Sequence, residues 1–458
     1  MEPVNQAAAH LSPGAQKFLE YVTSDPERTR RLDHLGDNCP KWLYTFYQHC
    51  QFQSWPTFVG AEKLAELRRA TVGLTRLIES IPARIFGNDP GQIAAHYHIP
   101  EYVVRLLLEP PTGLDSALAR ADLFDTADGF KCLEVNAGRI GGWLFGYLEE
   151  HVRAHPMIAR FLAEERIEPH HRDALEAMLR HVLTHNLGKS TAASGALNIA
   201  IVVDEANLAR DDARLSRIYR ELLAASGSGL TGSVVLCPYS VLTVSQNQVW
   251  YQDDQRPIHA IVEMSAENPP PGVFRCFKAG RVSLYNGPAN PLINTKGNLA
   301  VLSEHADSAV FTAEERDILR RHLPWTRFLS PGVATYRGAT GPLPELLLAH
   351  REELVLKPVL GYQGQGVSLG RLTPPDTWAK LVRDAVAQGG WLAQERVDSR
   401  PYLYQCGERG YGVHDVVWGA FCFGESYGGG FLRMMLHGTG DGVINSARGA
   451  SEGILFEV

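Results

Sequence analysis

The alternation of polar and apolar positions is sharpest between Leu118 and Gly138, in LARADLFDTADGFKCLEVNAG, and it predicts a two-stranded antiparallel ribbon. A loop of Ala127, Asp128 and Gly129, with the glycine taking a positive φ, sets the register. Asp122 then faces Glu134 and Arg120 faces Asn136, with all four side chains on one side. Leu123, Leu133 and Val135 share the other side, where Asp125 is expected opposite Lys131.

Before the ribbon, AEKLAELRRATVGLTRLIES repeats apolar residues at helical spacing. After it come a glycine-rich turn, AGRIGGW, and a helix through Tyr147 and Glu150, with helical character continuing to about residue 190. NIAIVVDEANL then predicts a buried strand from Asn198 to Val203, followed by a helix containing Arg217, Tyr219 and Leu222 and a second strand, SVVLCP. That order reads as a βαβ crossover and hence a parallel sheet. VWYQDDQRPIHAIVE reads as a hairpin turning near Asp253 to Arg256, and ENPPPG as a connection.

Further on, Leu354 to Leu356 form a strand that leaves Lys357 at its end, since Pro358 cannot donate the next ladder bond. Gly361, Gly364 and Gly366 follow, and WLAQERV is an apolar strand interrupted at Gln394 and Glu395. Arg433 lies after a glycine run, and Asn445 on a short apolar strand before Gly449. These signals describe a multidomain chain of α/β and α+β character in three units, 1–150, 151–305 and 306–458, without an internal repeat.

Composition narrows the class. At 458 residues the chain is long enough for two or three packed units. Hydrophobic residues at 45% and charged residues at 21% are those of a globular protein, and a net charge of −7 gives no broad attraction to nucleic acid or anionic membrane. MEPVNQAAAHLSPG has no basic segment followed by an apolar run, and no stretch approaches bilayer length, so a cytoplasmic location is expected. Seven scattered cysteines, Cys39, Cys50, Cys132, Cys237, Cys276, Cys406 and Cys422, never in CxxC spacing, argue against a disulfide framework or zinc site. A single reactive thiol is the alternative they leave.

The chemistry follows from residue types. Mg²⁺ takes hard oxygen ligands, commonly one or two carboxylates, with water and phosphate completing the shell. Asp122, Glu134 and Asn136 are such donors, and Arg120 can neutralise phosphate or carboxylate charge by a bidentate contact. The competing reading is a surface hairpin with solvated ion pairs. Gly361, Gly364 and Gly366 would let backbone N–H groups approach an anion, with Lys357 adding a point charge and the loop serving as a lid; the competing reading is a plain turn. Gln394 and Glu395 are candidates for adenine or ribose contacts, or an exposed strand end. His96 and His98 lack a third ligand at metal-binding spacing. His414 beside Asp415 is either a proton acceptor or a structural histidine.

Together these residues resemble the circularly permuted ATP-grasp ligases, the group that includes glutathionylspermidine synthetase. The resemblance is carried by Arg120, Asp122, Glu134 and Asn136, by Lys296 in INTKGNLAVL, by Lys357 in VLKP and by the hinge-like AQERV, in islands from about residue 115 onward. The acids precede the lysines, the reverse of the unpermuted order. The spacing from Lys296 to Lys357 is longer than in glutathionylspermidine synthetase and no amidase domain is added, so glutathione and spermidine are poor substrate expectations.

What the resemblance implies is an ATP-grasp fold in permuted order, with ATP between two α+β subdomains and a Rossmann-like pre-ATP-grasp domain in 151–305 helping to bind the acid. It implies Mg²⁺ on Asp122, Glu134 and Asn136, and ATP phosphates or adenine against Lys296 and Lys357 beside the loop of Gly364 and Gly366. The adenine hinge falls on Gln394, Glu395 and Val397. Arg433 and Asn445 would stabilise the transferred phosphoryl group, joined by Arg120. The implied activity is an ATP-dependent, ADP-forming carboxylate–amine ligase making an amide or peptide bond through an acyl phosphate. A small-molecule phosphotransferase and a non-catalytic nucleotide-binding protein are the alternatives. The expected partners are a small carboxylic acid and an amine, amino acid or peptide in type, with no nucleic acid or membrane and a homodimer as the default assembly. Arg105, Arg275 and Arg281 are candidate carboxylate binders.

Overall fold

The computed structural model describes residues 2–30, 32, 51–109, 117–187, 189, 195–204, 212–265, 267–287, 290–361, 364–406 and 410–458. The ribbon forms from Leu118–Thr126 and Gly129–Ala137. From Ala119 to Asp122 its register is the expected one, with Arg120 opposite Asn136 and Asp122 opposite Glu134. Nearer the turn it differs. Thr126 pairs with Gly129, so the loop is two residues long, and an irregularity after Asp122 absorbs the difference.

The slip moves two side chains. Leu133 turns to the same side as Glu134 and lines the cleft described below, while buried Cys132 takes its expected place in the core. Lys131 pairs with Phe124 rather than with Asp125. Asp125 instead accepts hydrogen bonds from Lys63 Nζ at 2.6 Å and Tyr402 Oη at 2.5 Å.

The ribbon is the edge of a larger sheet. Leu118–Thr126 pairs antiparallel with Tyr411–Phe423, which pairs with Ser426–Leu436, which pairs with Ser451–Glu457. Gln51–Phe52 and Thr57–Val59 add parallel to that last strand, and Tyr402–Gln405 adds to Tyr411–Phe423. Helix Ala61–Arg84 lies against the ribbon and its neighbour strand, burying Leu67, Ala70, Leu74, Ile78 and Ile81 on a stripe of helical period.

A second sheet is parallel throughout, in the order Ser283–Tyr285, Ala260–Glu263, Ile199–Val202, Val234–Cys237. Its last two strands are joined through helix Asp212–Ala225, as the sequence pattern predicts. The expected hairpin is present as Gln248–Tyr251 paired with Arg256–Ile258, but Ala260–Glu263 leaves it to enter the parallel sheet. A third, antiparallel sheet runs Thr326–Phe328, Trp391–Glu395, Leu354–Pro358, Ser368–Leu369, and packs on Leu343, Leu347, Trp378 and Val382 of its helices. The described residues of 306–458 thus contribute to three sheets, one of them the two-stranded pair Val333–Tyr336 and Ala339–Pro342, and the C-terminal strands complete the sheet begun by the ribbon. Asn445 lies outside any strand, where its side chain accepts from Ala447 N at 2.9 Å and caps a 3₁₀ turn. Among the described residues no helix is long and apolar enough to cross a membrane.

At the carboxyl end of the parallel sheet Glu263 is buried and accepts a hydrogen bond from Tyr239 Oη. Burial pushes its pKa up from 4.5 to about 7. Between those values the folded chain keeps a proton that the unfolded chain releases, so stability falls as pH rises across that window and is level on either side. Glu263→Gln should therefore gain on the native chain as pH rises to about 7, by on the order of 2 to 3 kcal/mol at the upper end. Denaturant titrations at pH 4.5 and 7.5 check this; equal differences at both values would contradict it.

Candidate active site

A cleft opens between the ribbon side of the main sheet and the small antiparallel sheet. Asp122, Glu134, Lys296, Lys357, Gln394 and Arg433 line it, together with Gly364, Glu395, Val397 and Asn445. Residues far apart in the chain meet because the two sheets face each other. Leu354–Pro358 holds Lys357 one residue from its end, and Lys357 Nζ donates to Leu133 O of the ribbon at 2.7 Å and to Gln394 Oε1 at 2.7 Å. Lys296, just before helix Gly297–Glu304, places Nζ 3.3 Å from Glu134 Oε2 and 2.7 Å from Gly361 O.

Asp122 is the centre of a buried ion cluster. Arg120 grips it in bidentate fashion, Nε to Oδ1 at 2.8 Å and Nη2 to Oδ2 at 2.9 Å, while Arg433 Nη2 reaches Oδ2 at 2.7 Å. Asn136 Nδ2 donates to the same Oδ2 at 3.1 Å and to Glu134 Oε1 at 3.3 Å. Burial opposes ionisation of Asp122, but the two guanidinia outweigh it and hold the carboxyl well below the usual carboxylate range. Arg120 and Asn136 therefore stand behind Asp122 rather than on the cleft surface. Gly366 is exposed and does not line the cleft; it lies against Pro358 and Trp391.

Strand alternation explains the cluster. Asp122 is opposite Gly419, and Gly419 is opposite Phe431. A Cβ on Gly419 would lie 2.6 Å from the Phe431 ring, so only glycine leaves that ring its place. The ring supports both guanidinia, with Arg120 and Arg433 5.6 Å and 5.9 Å from its centroid. Phe145 stacks on Phe431 at 4.6 Å, and Arg120 Nη1 also donates to Gly141 O at 3.0 Å, tying the glycine-rich turn into the cluster.

Several functional expectations are refined by these contacts. Gln394 is occupied by Lys357 and, through Nε2, by Thr326 Oγ1 at 3.1 Å; Glu395 accepts from Arg337 Nη2 at 2.9 Å. At the expected hinge Val397 lines the cleft, and its N–H has no hydrogen-bond partner among the described residues. Gly364 has φ +71°, and a Cβ there would meet Val443 at 2.4 Å; its carbonyl accepts from Arg448 Nη2 at 3.0 Å. Tyr362 and Gln363 of the expected lid lie outside the described residues. Lys357 is buried at the wall of the cleft, and burial lowers its pKa to about 8, with Lys296 adding to the shift and Glu134 opposing it.

Sequence reasoning missed Glu452, buried opposite Arg433 and hydrogen-bonded by Ser446 Oγ. SEGILFEV, with Ile454, Leu455 and Phe456 consecutive, carries no alternation that marks Glu452. The apolar lining from Phe124, Leu133, Val355, Val417 and Val443 was missed as well. His414 is buried, bonds Gly412 O at 2.8 Å and packs on Tyr404, while Asp415 faces His437 at 2.9 Å; neither His414 nor Asp415 lines the cleft. Arg105 is engaged by Glu101, and neither it nor Arg275 nor Arg281 lines the cleft. Burial raises the Cys237 and Cys422 thiols to about 12 and Cys132 further still, the reverse of what a nucleophile requires; Cys39 and Cys50 lie outside the described residues.

No protein-family profile and no curated protein matches the chain. Among solved structures it is similar to a glutathione synthetase-like effector from Globodera pallida in apo form, with a TM-score of 0.54 and 12% identity over 89% of this chain and 90% of that one. The likeness extends over nearly the whole of both chains and shows a shared fold. A putative γ-glutamylcysteine synthetase from Methylobacillus flagellatus KT aligns over 81% of this chain and 85% of its own at 14% identity, with a TM-score of 0.38, which carries no argument.

Asp122→Ala should cost about 3 to 5 kcal/mol, because it strands two buried guanidinia. Gly419→Ala should cost about 1 to 3 kcal/mol by displacing the Phe431 ring. Chemical denaturation measures both; a loss below about 1 kcal/mol for Asp122→Ala would show that the cluster is not a stabilising centre.

Proposed function

We propose that the protein is an ATP-dependent carboxylate–amine ligase that makes an amide bond through an acyl phosphate. One observation carries the reading: two lysines from separate later segments, Lys296 and Lys357, converge with Arg433 on the carboxylate side of the ribbon, inside one cleft with an apolar end. Clustered cations beside oxygen donors suit a polyphosphate, and the apolar lining suits a base. The synthetase-like designation of the fold neighbour belongs to the same class of chemistry.

In this reading the phosphates take the place now filled by internal contacts. Lys357 would exchange the Leu133 carbonyl for a phosphate oxygen, and Lys296 would exchange the Gly361 carbonyl. The glycine loop lies against that position, and the Val397 N–H and the apolar side chains meet the base. Arg433, seated on Phe431, is placed to neutralise charge on the transferred phosphoryl group.

Asp122 and Glu134, which line the cleft, and Asn136 behind them, bonded to both, form a hard-oxygen set that fits Mg²⁺, with Asp122 already neutralised by two guanidinia. Held by these residues, the ion would supply positive charge that neutralises phosphate. The substrate carboxylate oxygen would attack the γ-phosphorus of ATP, giving the acyl phosphate and ADP; the amine nitrogen would then attack the acyl carbon, losing a proton as phosphate leaves, and the site must keep water from the acyl phosphate meanwhile. We further propose that the ribbon with 402–457 forms one half of the nucleotide site and 326–395 the other, with 151–305 supplying the acid-binding unit.

Product analysis tests the reaction. ADP and phosphate should be released only when both an acid and an amine are present; a stable phosphorylated acceptor would make the protein a kinase, and no ADP under any pairing would make it a binder. Glu134→Ala should abolish Mg²⁺-dependent turnover while leaving circular dichroism unchanged, and retained turnover would remove Glu134 from the metal set. Lys357→Met should weaken ATP binding by roughly 1.5 to 3 kcal/mol, read by calorimetry, and an unchanged affinity would overturn its phosphate role.

A further inference from the structure

Gly442, Val443, Ile444 and Asn445 form one wall of the cleft, and they belong to a strap, 441–448, that runs between strands Ser426–Leu436 and Ser451–Glu457 of the main sheet. Its internal bonds are local. Val443 N donates to Asp441 Oδ1 at 3.1 Å, Arg448 pairs with Asp441, and Asn445 caps the turn Ser446–Arg448. Bonds of this kind shape the segment without fixing its place in the molecule. Among the described residues, two hydrogen bonds tie the strap to anything else: Ser446 Oγ donates to Glu452 Oε1, and Arg448 Nη2 donates to Gly364 O at 3.0 Å. Packing adds Val443 over Gly364 and Gly442 against Leu369 and Leu372.

The two anchors differ in kind. Gly364 belongs to a loop, whereas Glu452 sits on a strand paired on both sides, with Ser426–Leu436 and with Gln51–Phe52. Its register sets Glu452 directly beside Arg433, in a row that continues through Val417 to Phe124. Residues in such a row share one face of the sheet, and Phe124, Val417 and Arg433 all line the cleft. Glu452 shares that face but is buried, with the Ser446 hydroxyl set on it. A buried carboxylate is costly unless charge and hydrogen bonds compensate it. Ser446 supplies the bond, and Arg120, whose charged form Glu452 helps to hold, supplies the charge.

We infer that Glu452 is a positioning residue of the cleft, seating the strap through Ser446 and so setting where Asn445 and Arg448 stand against the glycine loop. The ion cluster around Asp122 and the wall on the far side of the cleft are thereby joined through one carboxylate. The seating is a property of the folded chain alone. Its effect on nucleotide binding rests on the ligase reading.

The test follows deuterium exchange of the segment 441–450 in the full chain without nucleotide, then ATP affinity by calorimetry on the same samples. Ser446→Ala, at a partly exposed position, should leave global unfolding as in the native chain while the segment exchanges about fivefold faster. Glu452→Ala should speed the same segment, and Glu452→Gln, which keeps an oxygen for the hydroxyl, should return most of the protection. Ser446→Ala should add nothing to Glu452→Ala, because both remove one bond. ATP affinity should fall by about fivefold in Ser446→Ala. Unchanged exchange in Ser446→Ala, additive effects of the two alanines, or unchanged ATP affinity in Ser446→Ala beside a native chain that binds ATP overturns the inference. A native chain that binds no ATP, with exchange responding as stated, would sink the ligase reading alone. Ligase turnover by the native chain with exchange unmoved by Ser446→Ala would sink this inference alone.

Discussion

The Asp122 carboxylate, held between the Arg120 and Arg433 guanidinia, is the interaction on which the rest of the arrangement depends. It ties a ribbon strand to a strand far along the chain, and it does so where water has been removed. Withdrawing three charges from water is expensive, and the geometry recovers that cost only because the Arg120 contact is bidentate and an aromatic ring supports both cations. Gly419 and the close packing around Phe431 follow from the space this cluster needs.

Charge in the cleft is nearly balanced without any ligand. Lys296 has Glu134 within reach, Arg433 has Asp122, and Lys357 has carbonyl oxygens from two segments. A polyanion entering such a place exchanges one set of polar contacts for another instead of solvating bare charges. The buried Lys357 ammonium, whose proton burial has already loosened, gains most from that exchange.

Local pattern made the ribbon, the parallel crossover and the position of Lys357 at a strand end legible in the sequence, because periodicity and proline act over a few residues. The slip after Asp122 was not legible: nothing in FKCLEVN marks which residue is absorbed, so Leu133 was assigned to the wrong face. The side chains of Gln394 and Glu395 were read as free for a ligand because their partners, Lys357, Thr326 and Arg337, arrive from other strands. Asn445 was taken as a strand residue from its apolar neighbours, whereas its amide closes a 3₁₀ turn. Glu452 was overlooked for the same reason as the sheet order: pairing between distant segments leaves no local trace.

That sheet order has a consequence for how the molecule is made. Leu118–Thr126 finds its inner neighbour only once Tyr411–Phe423 has left the ribosome, and Gln51–Phe52 and Thr57–Val59 wait longer still for Ser451–Glu457. During synthesis the ribbon therefore carries an open hydrogen-bonding edge, with Asp122 not yet met by Arg433, while the intervening parallel sheet has all its strands available and can close first. Vectorial production thus leaves the cleft between the two sheets as one of the last features to form, and a nascent chain stalled before the C-terminal strands would expose that edge to other chains.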